Sequence, residues 1–166
     1  MDSDQLNQLI KQGLSAMKSG SKTAAESASE VQNDASDEQL REILRKGTET
    51  SKQWQQRVDR ALEQVGGGSQ QERENEIMQA MDRVGKQIRQ EAPNDRVRDL
   101  GIIANGQLIL HYWIGAFGTM EAYCKQAGMD QAAQEMKSCV SEAKQADEKY
   151  TEIAMQIMQQ QQMASA

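Results

Sequence analysis

Apolar residues recur along this chain at alternating steps of three and four, the spacing that lines one face of an α-helix, and β-branched runs are few. The pattern is strongest over residues 94–127. There Ile103, Gln107, Leu110, Ile114, Phe117 and Cys124 share one stripe, and Ile102, Ile109 and Trp113 broaden it on both sides. So wide an apolar face predicts a helix nearly surrounded by others.

The other helices follow from the same spacing. Helix 1 is predicted over residues 3–32, opened by Ser3, with Leu6, Ile10, Gly13, Met17, Gly20/Ser21, Ala24, Ala28 and Val31 as its seam. Gly20 costs about 1 kcal/mol relative to Ala inside a helix, which invites a local break at residues 19–21. A turn at residues 33–35 leads to helix 2, residues 36–65, where Ser36 and Gln39 form a capping box. Its face is Leu40, Ile43, Gly47, Thr50, Trp54, Ala61 and Val65, and Gly66-Gly67-Gly68-Ser69 ends it. No Lys-Ser/Thr follows these glycines and no strand precedes them, so they read as a loop and not a phosphate cradle.

Helix 3, residues 71–90, carries the stripe Ile77, Met81, Val84 and Ile88; it is short, mostly polar and expected on the outside. Ala92-Pro93 stops it, and Asn94 caps helix 4, residues 94–127. Gly128 is placed as the residue that turns the chain and Asp130 as the next cap. Helix 5, residues 131–160, has the seam Met136, Val140, Ala143, Asp147, Tyr150, Ala154 and Ile157, with a low-complexity tail, residues 161–166, expected to fray. Short turns make two antiparallel hairpins of helices 1–2 and 4–5. The glycine loop, helix 3 and Pro93 form one long crossover between them. This predicts a single all-α domain, residues 1–166, with the ferritin-like four-helix arrangement and a short fifth helix in the crossover.

Charge and composition narrow the function. Nineteen Lys and Arg against 25 Asp and Glu leave a formal charge of −6, which argues against nucleic acid as a partner. No apolar run is expected to reach the ~20 residues of a membrane span, and the polar start MDSDQLNQ does not resemble a signal peptide, so a cytoplasmic protein is the expectation. Cys124 and Cys139 lie about four residues before and ten after the turn between helices 4 and 5. That offset is roughly 9 Å along the axis at ~1.5 Å per residue, too far for the ~7 Å limit of a disulfide. Both read as small core or boundary thiols.

A ferritin-like bundle draws its chemistry from inward carboxylates and His at mid-height. The seams offer Glu49, His111, Glu142 and Asp147 at that level, and only Asp147 falls squarely on one. Four scattered donors are fewer than the roughly six of a di-metal centre. His111, the only His, ordinarily reads as a hydrogen-bonded boundary residue beside the seam, and Trp54 and Trp113 as core. No Ser–His–Asp or Cys–His grouping can be placed, so catalysis is not expected.

Residues 95–154 resemble the second half of the YciF-like family of bacterial ferritin-like proteins. The resemblance rests on DRVRDLGII (residues 95–103), HYWIGAFGT (111–119), AGMDQAA (127–133) and SEAKQADEKYTEIA (141–154), with looser likeness through DEQLREIL (37–44), Glu49-Thr50 and residues 58–66. It implies a carboxylate/His di-metal centre, with Glu-His-Tyr-Glu where this chain has Leu110-His111-Tyr112-Trp113. It also implies a Glu-Glu pair where this chain has Glu142-Ala143, a His at Lys46 and a Glu at Ser21.

The expectation is therefore a divergent member with no metal and no cofactor. Its former site would be plugged by Ser21, Lys46, Leu110, Trp113 and Ala143, with Lys46 paired to Asp147 or Glu49. Replacing unpaired inward carboxylates by apolar groups is favourable, since burying each without a partner costs several kcal/mol. Such a protein would be a stress-associated structural or binding module and a homodimer, with the outer faces of helices 1 and 5 as an interaction surface. The alternatives are a ferritin-like oxidase or store holding iron or manganese on Glu49, His111, Glu142 and Asp147, and a dedicated protein that neutralises a basic partner.

Overall fold

The computed structural model describes residues 3–67 and 73–164, with the side chains of residues 161–164 left aside. Five helices run in the order α1 (Ser3–Asp34), α2 (Glu38–Gln64), α3 (Glu76–Glu91), α4 (Asp95–Gln126) and α5 (Asp130–Ala164), and no strand is present among the described residues. In the bundle α1 packs on α2, α2 on α5, α5 on α4 and α4 on α1, while α3 lies against α1 and α4.

The ends differ from the sequence expectation in instructive ways. Asp37, not Ser36, caps α2 by accepting from Leu40 N at 2.9 Å. Ser36 is used elsewhere: its N–H and hydroxyl donate to Asp99 at 2.8 and 2.5 Å, and Asp37 N donates to the same carboxylate at 2.9 Å. Asp99, only 2% exposed, thus holds the α1–α2 turn from α4. Asn94 caps α4 as expected, accepting from Val97 N at 3.0 Å. Asp130 begins α5 instead of capping it.

Gly66 and Gly128, at φ +69° and +74°, take the left-handed conformation that closes α2 and α4. Their neighbours close the turns, Gly67 N donating to Leu62 O and Met129 N to Cys124 O, both at 2.9 Å. α1 runs through Gly20 unbroken, and α5 continues to Ala164, four residues into the tail expected to fray. The predicted start of helix 3, residues 71 and 72, lies outside the described residues; the described helix is capped by Asn75.

The core holds Leu6, Ile10, Leu14, Met17, Leu40, Val58, Ile103, Phe117, Met136 and Ile157, with both cysteines free and buried among them. Two helices are rotated or enclosed differently from the expectation. α3 buries Met78, Gly85 and Arg89, and leaves Ile77 and Val84 about half exposed, so its inward face is one residue off the predicted stripe. The reason is polar: Asn75 donates to Ala16 O and to the Tyr112 hydroxyl, and Arg89 reaches Asp34 and Glu30 of α1.

α4 is apolar all round, yet it is not surrounded. Ala104, Leu108, His111, Gly115, Thr119 and Ala122 lie exposed along one side of it. An 18-residue window of this helix reaches a mean hydropathy of 1.2, so it is long and apolar enough to cross a membrane, contrary to the sequence expectation; 33% of that window is buried in the chain.

Candidate functional site

The waist of the bundle is built on aromatic packing. Trp54 of α2 meets Trp113 and Phe117 of α4 edge-on, with ring centroids 6.5 and 5.3 Å apart. Trp113 stacks on Phe117 at 5.3 Å and takes the edge of Tyr112 at 5.1 Å. Such geometries are preferred because they set ring edges against ring faces. Leu110, Trp113 and Ala143 belong to the one contiguous core, and Ser21 is buried on α1 with its hydroxyl donating to Met17 O at 3.0 Å.

One carboxylate enters this region. Glu142, at the seam between α5 and α2, accepts from Trp54 Nε1 at 2.7 Å and from both terminal nitrogens of Arg57 at 2.8 and 3.0 Å. Arg57 also lies 3.4 Å from Cys139 Sγ. Burial pulls the Glu142 carboxyl upward, but the Arg57 and Trp54 hydrogen bonds outweigh it and hold it below the usual carboxylate value. The Arg57 guanidinium is raised by the hydrogen bond to Glu142. Burial pushes the Cys139 thiol up to about 11 despite Arg57, and the enclosed Tyr150 phenol up to about 12.

The other predicted ligands are dispersed. Glu49 is exposed and pairs with Arg45 at 2.7 Å. Lys46, expected in the plug, is exposed and pairs with Glu42 at 3.3 Å, on its own helix and away from Asp147 and Glu49. It lies on a flank of α2, 65% exposed at the side chain. His111 is exposed too, 3.2 Å from Asp147 Oδ2 across the α4–α5 seam; Asp147 Oδ1 is buried without a hydrogen-bond partner.

Leu110 and Trp113 flank His111 in sequence but point to the core while it points out, since 100° steps around a helix separate them. Among the described residues no group of three or more His, Cys, Asp or Glu side chains is arranged to hold a metal ion. A di-metal centre does not fit this donor set: the oxygens of Glu142 are taken by a guanidinium and an indole, and Glu49 is on the outside.

Sequence reasoning missed Arg57, Asp99 and Asn75. Arg57 lies three residues after Trp54, the spacing that places two side chains over one another on a helix; that was the available signal.

Five helices in this order, two hairpins and a crossover helix define an all-α ferritin-like bundle. The chain belongs to the YciF-like proteins, the family described as a domain of unknown function, DUF892, whose profile matches residues 5–163. Protein YciF of Escherichia coli strain K12 is 26% identical over 100 residues, 60% of this chain and 60% of that protein's length. The crystal structure of the E. coli stress protein YciF superposes with a TM-score of 0.87 at 22% identity, covering 93% of this chain and 97% of the other. YcfI of Rhodopseudomonas palustris, described as a candidate structural protein, gives 0.82 at 20% identity, covering 88% and 92%.

Proposed function

We propose that this protein is a non-catalytic, stress-associated structural or protein-binding bundle. In this reading its waist has exchanged metal ligands for aromatic packing closed by a single ion pair. The observation that carries it is Glu142. Its oxygens accept from Arg57 and Trp54, so a cation would have to displace a guanidinium already bound in two-point geometry. The ion pair at this seam joins Arg57 to Glu142, while Lys46 pairs with Glu42 and with neither Asp147 nor Glu49. The relatives' descriptions, a stress protein and a candidate structural protein, agree with such a role. Self-association into a homodimer belongs to the same reading.

Metal analysis of protein purified without chelator, after loading with ferrous iron or manganese, tests it. Well under one equivalent per chain is expected, with no absorbance beyond the aromatic bands. Two equivalents per chain would overturn the proposal in favour of a ferritin-like oxidase or store.

A further inference from the structure

Asn105 and Gly106 stand side by side in the first half of α4 and form the only Asn-Gly step in the chain. Packing accounts for each of them separately. Asn105 turns toward α3 and is 9% exposed. It fills the hollow at Gly85: a Cβ built there would stand 2.4 Å from Asn105 Nδ2 and 3.5 Å from Arg89 Nη1. Gly106 turns toward α5, where a Cβ would stand 3.3 Å from the ring of the buried Tyr150. A small polar residue toward one neighbour and a missing side chain toward the other let both helices approach α4 closely.

The same pair carries a chemical liability that the fold hides. In a free chain the backbone nitrogen that follows an asparagine can attack the asparagine side-chain carbon. Glycine makes this easiest, since it has no side chain to block the approach and its backbone reaches conformations that other residues resist. The bond from Gly106 N to Asn105 Cγ forms, the Cγ–Nδ2 bond breaks, and ammonia leaves with the proton of the Gly106 amide. The product is a succinimide ring. Water then opens the ring at one of its two carbonyls. Opening at Cγ leaves aspartate. Opening at the main-chain carbonyl leaves isoaspartate, in which the chain runs through the side-chain carbon and is one methylene longer. Water is the only reagent consumed.

In the folded helix none of this begins. The α4 ladder commits the Gly106 N–H to the carbonyl four residues back and holds the nitrogen away from Asn105 Cγ. The side chain is wedged at Gly85, and Asn105 Oδ1 is buried with no hydrogen-bond partner, so no donor polarises the amide for attack. Asn7, Asn33 and Asn94 are exposed, but they precede Gln8, Asp34 and Asp95, whose side chains hinder the approach; Asn75 precedes Glu76.

We propose that Asn105–Gly106 is a latent self-modification site, closed by folding and opened when α4 unwinds at this point, and that its isoaspartyl product cannot return to the bundle. The extra methylene interrupts the backbone ladder where α4 packs on α3 and α5, leaving buried N–H and C=O groups unpaired. The chain thereby keeps a covalent record of having unfolded.

The test holds the full-length wild type at pH 7.4 and 37 °C, once folded and once unfolded in urea. Peptide mass spectrometry maps deamidation, with electron-transfer fragmentation separating the isoaspartyl from the aspartyl product. In urea, Asn105 is expected to be modified ahead of the other four asparagines. In the folded chain its rate should be lower by at least about a hundredfold, because only the opened fraction reacts. That ratio corresponds to an opening free energy of ~2.7 kcal/mol or more, at ~1.36 kcal/mol per tenfold. A smaller ratio, or another asparagine modified first in urea, would overturn the site. The urea-held chains are then refolded by dilution, and gel filtration isolates the folded fraction. Isoaspartyl chains should be depleted there by at least about tenfold relative to the chains that fail to fold, as expected when a mid-helix ladder is broken; a smaller depletion would overturn the block to refolding. Asn105→Ser, which is smaller and cannot form the ring, should keep its own starting refolding yield over the same hold while that of the wild type declines. A parallel decline in the two would assign the loss to another cause and overturn the block as well.

Discussion

Removing one partner of the Arg57–Glu142 pair should expose how the waist is held. Arg57 is 19% and Glu142 33% exposed at the side chain, so the pair is neither fully wet nor fully dry. A solvent-exposed pair contributes ~0.2–1 kcal/mol, and a hydrogen bond to a charged group shielded from water about 1.5–3 kcal/mol. With three hydrogen bonds converging on Glu142, Glu142→Gln is expected to cost about 2 kcal/mol at pH 7, and Arg57→Met a similar amount. For a chain of this size that is a fall in melting temperature of roughly 4–8 °C. The double variant should cost about 2.5–3 kcal/mol, less than the sum of the two singles, giving a coupling energy of ~1–1.5 kcal/mol.

The pH dependence has a definite sign. The folded carboxyl is held below its ordinary value of 4.5, so its contribution is present above that value and is lost as pH falls through the lower folded one. The gap between wild type and Glu142→Gln should therefore close below about pH 4.5. Guanidinium denaturation at several pH values measures all of this. Single costs under ~0.5 kcal/mol, or a gap that widens in acid, would refute the account.

Three further outcomes follow from the same geometry. Trp113→Ala, at a residue 4% exposed amid three aromatic rings, should cost ~3–5 kcal/mol in a denaturant titration. Asp99→Ala removes the acceptor of three hydrogen bonds and should cost about 2–3 kcal/mol, with faster amide exchange at Ser36 and Asp37 as its local sign. Cys139, with its thiol raised to about 11 by burial, should be alkylated by iodoacetamide at pH 8 roughly a hundredfold more slowly in the native than in the denatured chain, as read by mass spectrometry.

The bundle was legible because its helices keep their apolar steps of three and four for many turns, and Asn94 and Gly128 punctuate them with residues that suit few other places. The rotation of α3 was hidden because Ile77, Met81, Val84 and Ile88 make a better aliphatic stripe than the Asn75, Met78, Gly85 and Arg89 that turn inward. Hydrophobicity alone cannot see that an asparagine and an arginine have partners waiting on α1 and α4. The enclosure of α4 was misjudged for a related reason: an all-round apolar helix looks the same in sequence whether its last face meets its own chain or not.

At the waist, Leu110, Trp113 and Ala143 could be placed from their positions on the seams. The charged closure could not, because the spacing of Arg57 to Trp54 shows only that the two share a side of α2, and its partner Glu142 is brought beside it from 85 residues away.

Asp99 belongs to the later hairpin and does its work in the earlier one. It closes a bend whose donors would otherwise stand open, and so acts as a clasp between two halves that the covalent chain joins only through the glycine-rich crossover. Their relative register is therefore fixed in part by one side chain, beside the packing of α1 on α4 and of α2 on α5. A chain severed in that crossover would yield two pieces that still share this clasp and the packed faces of α1 on α4 and α2 on α5.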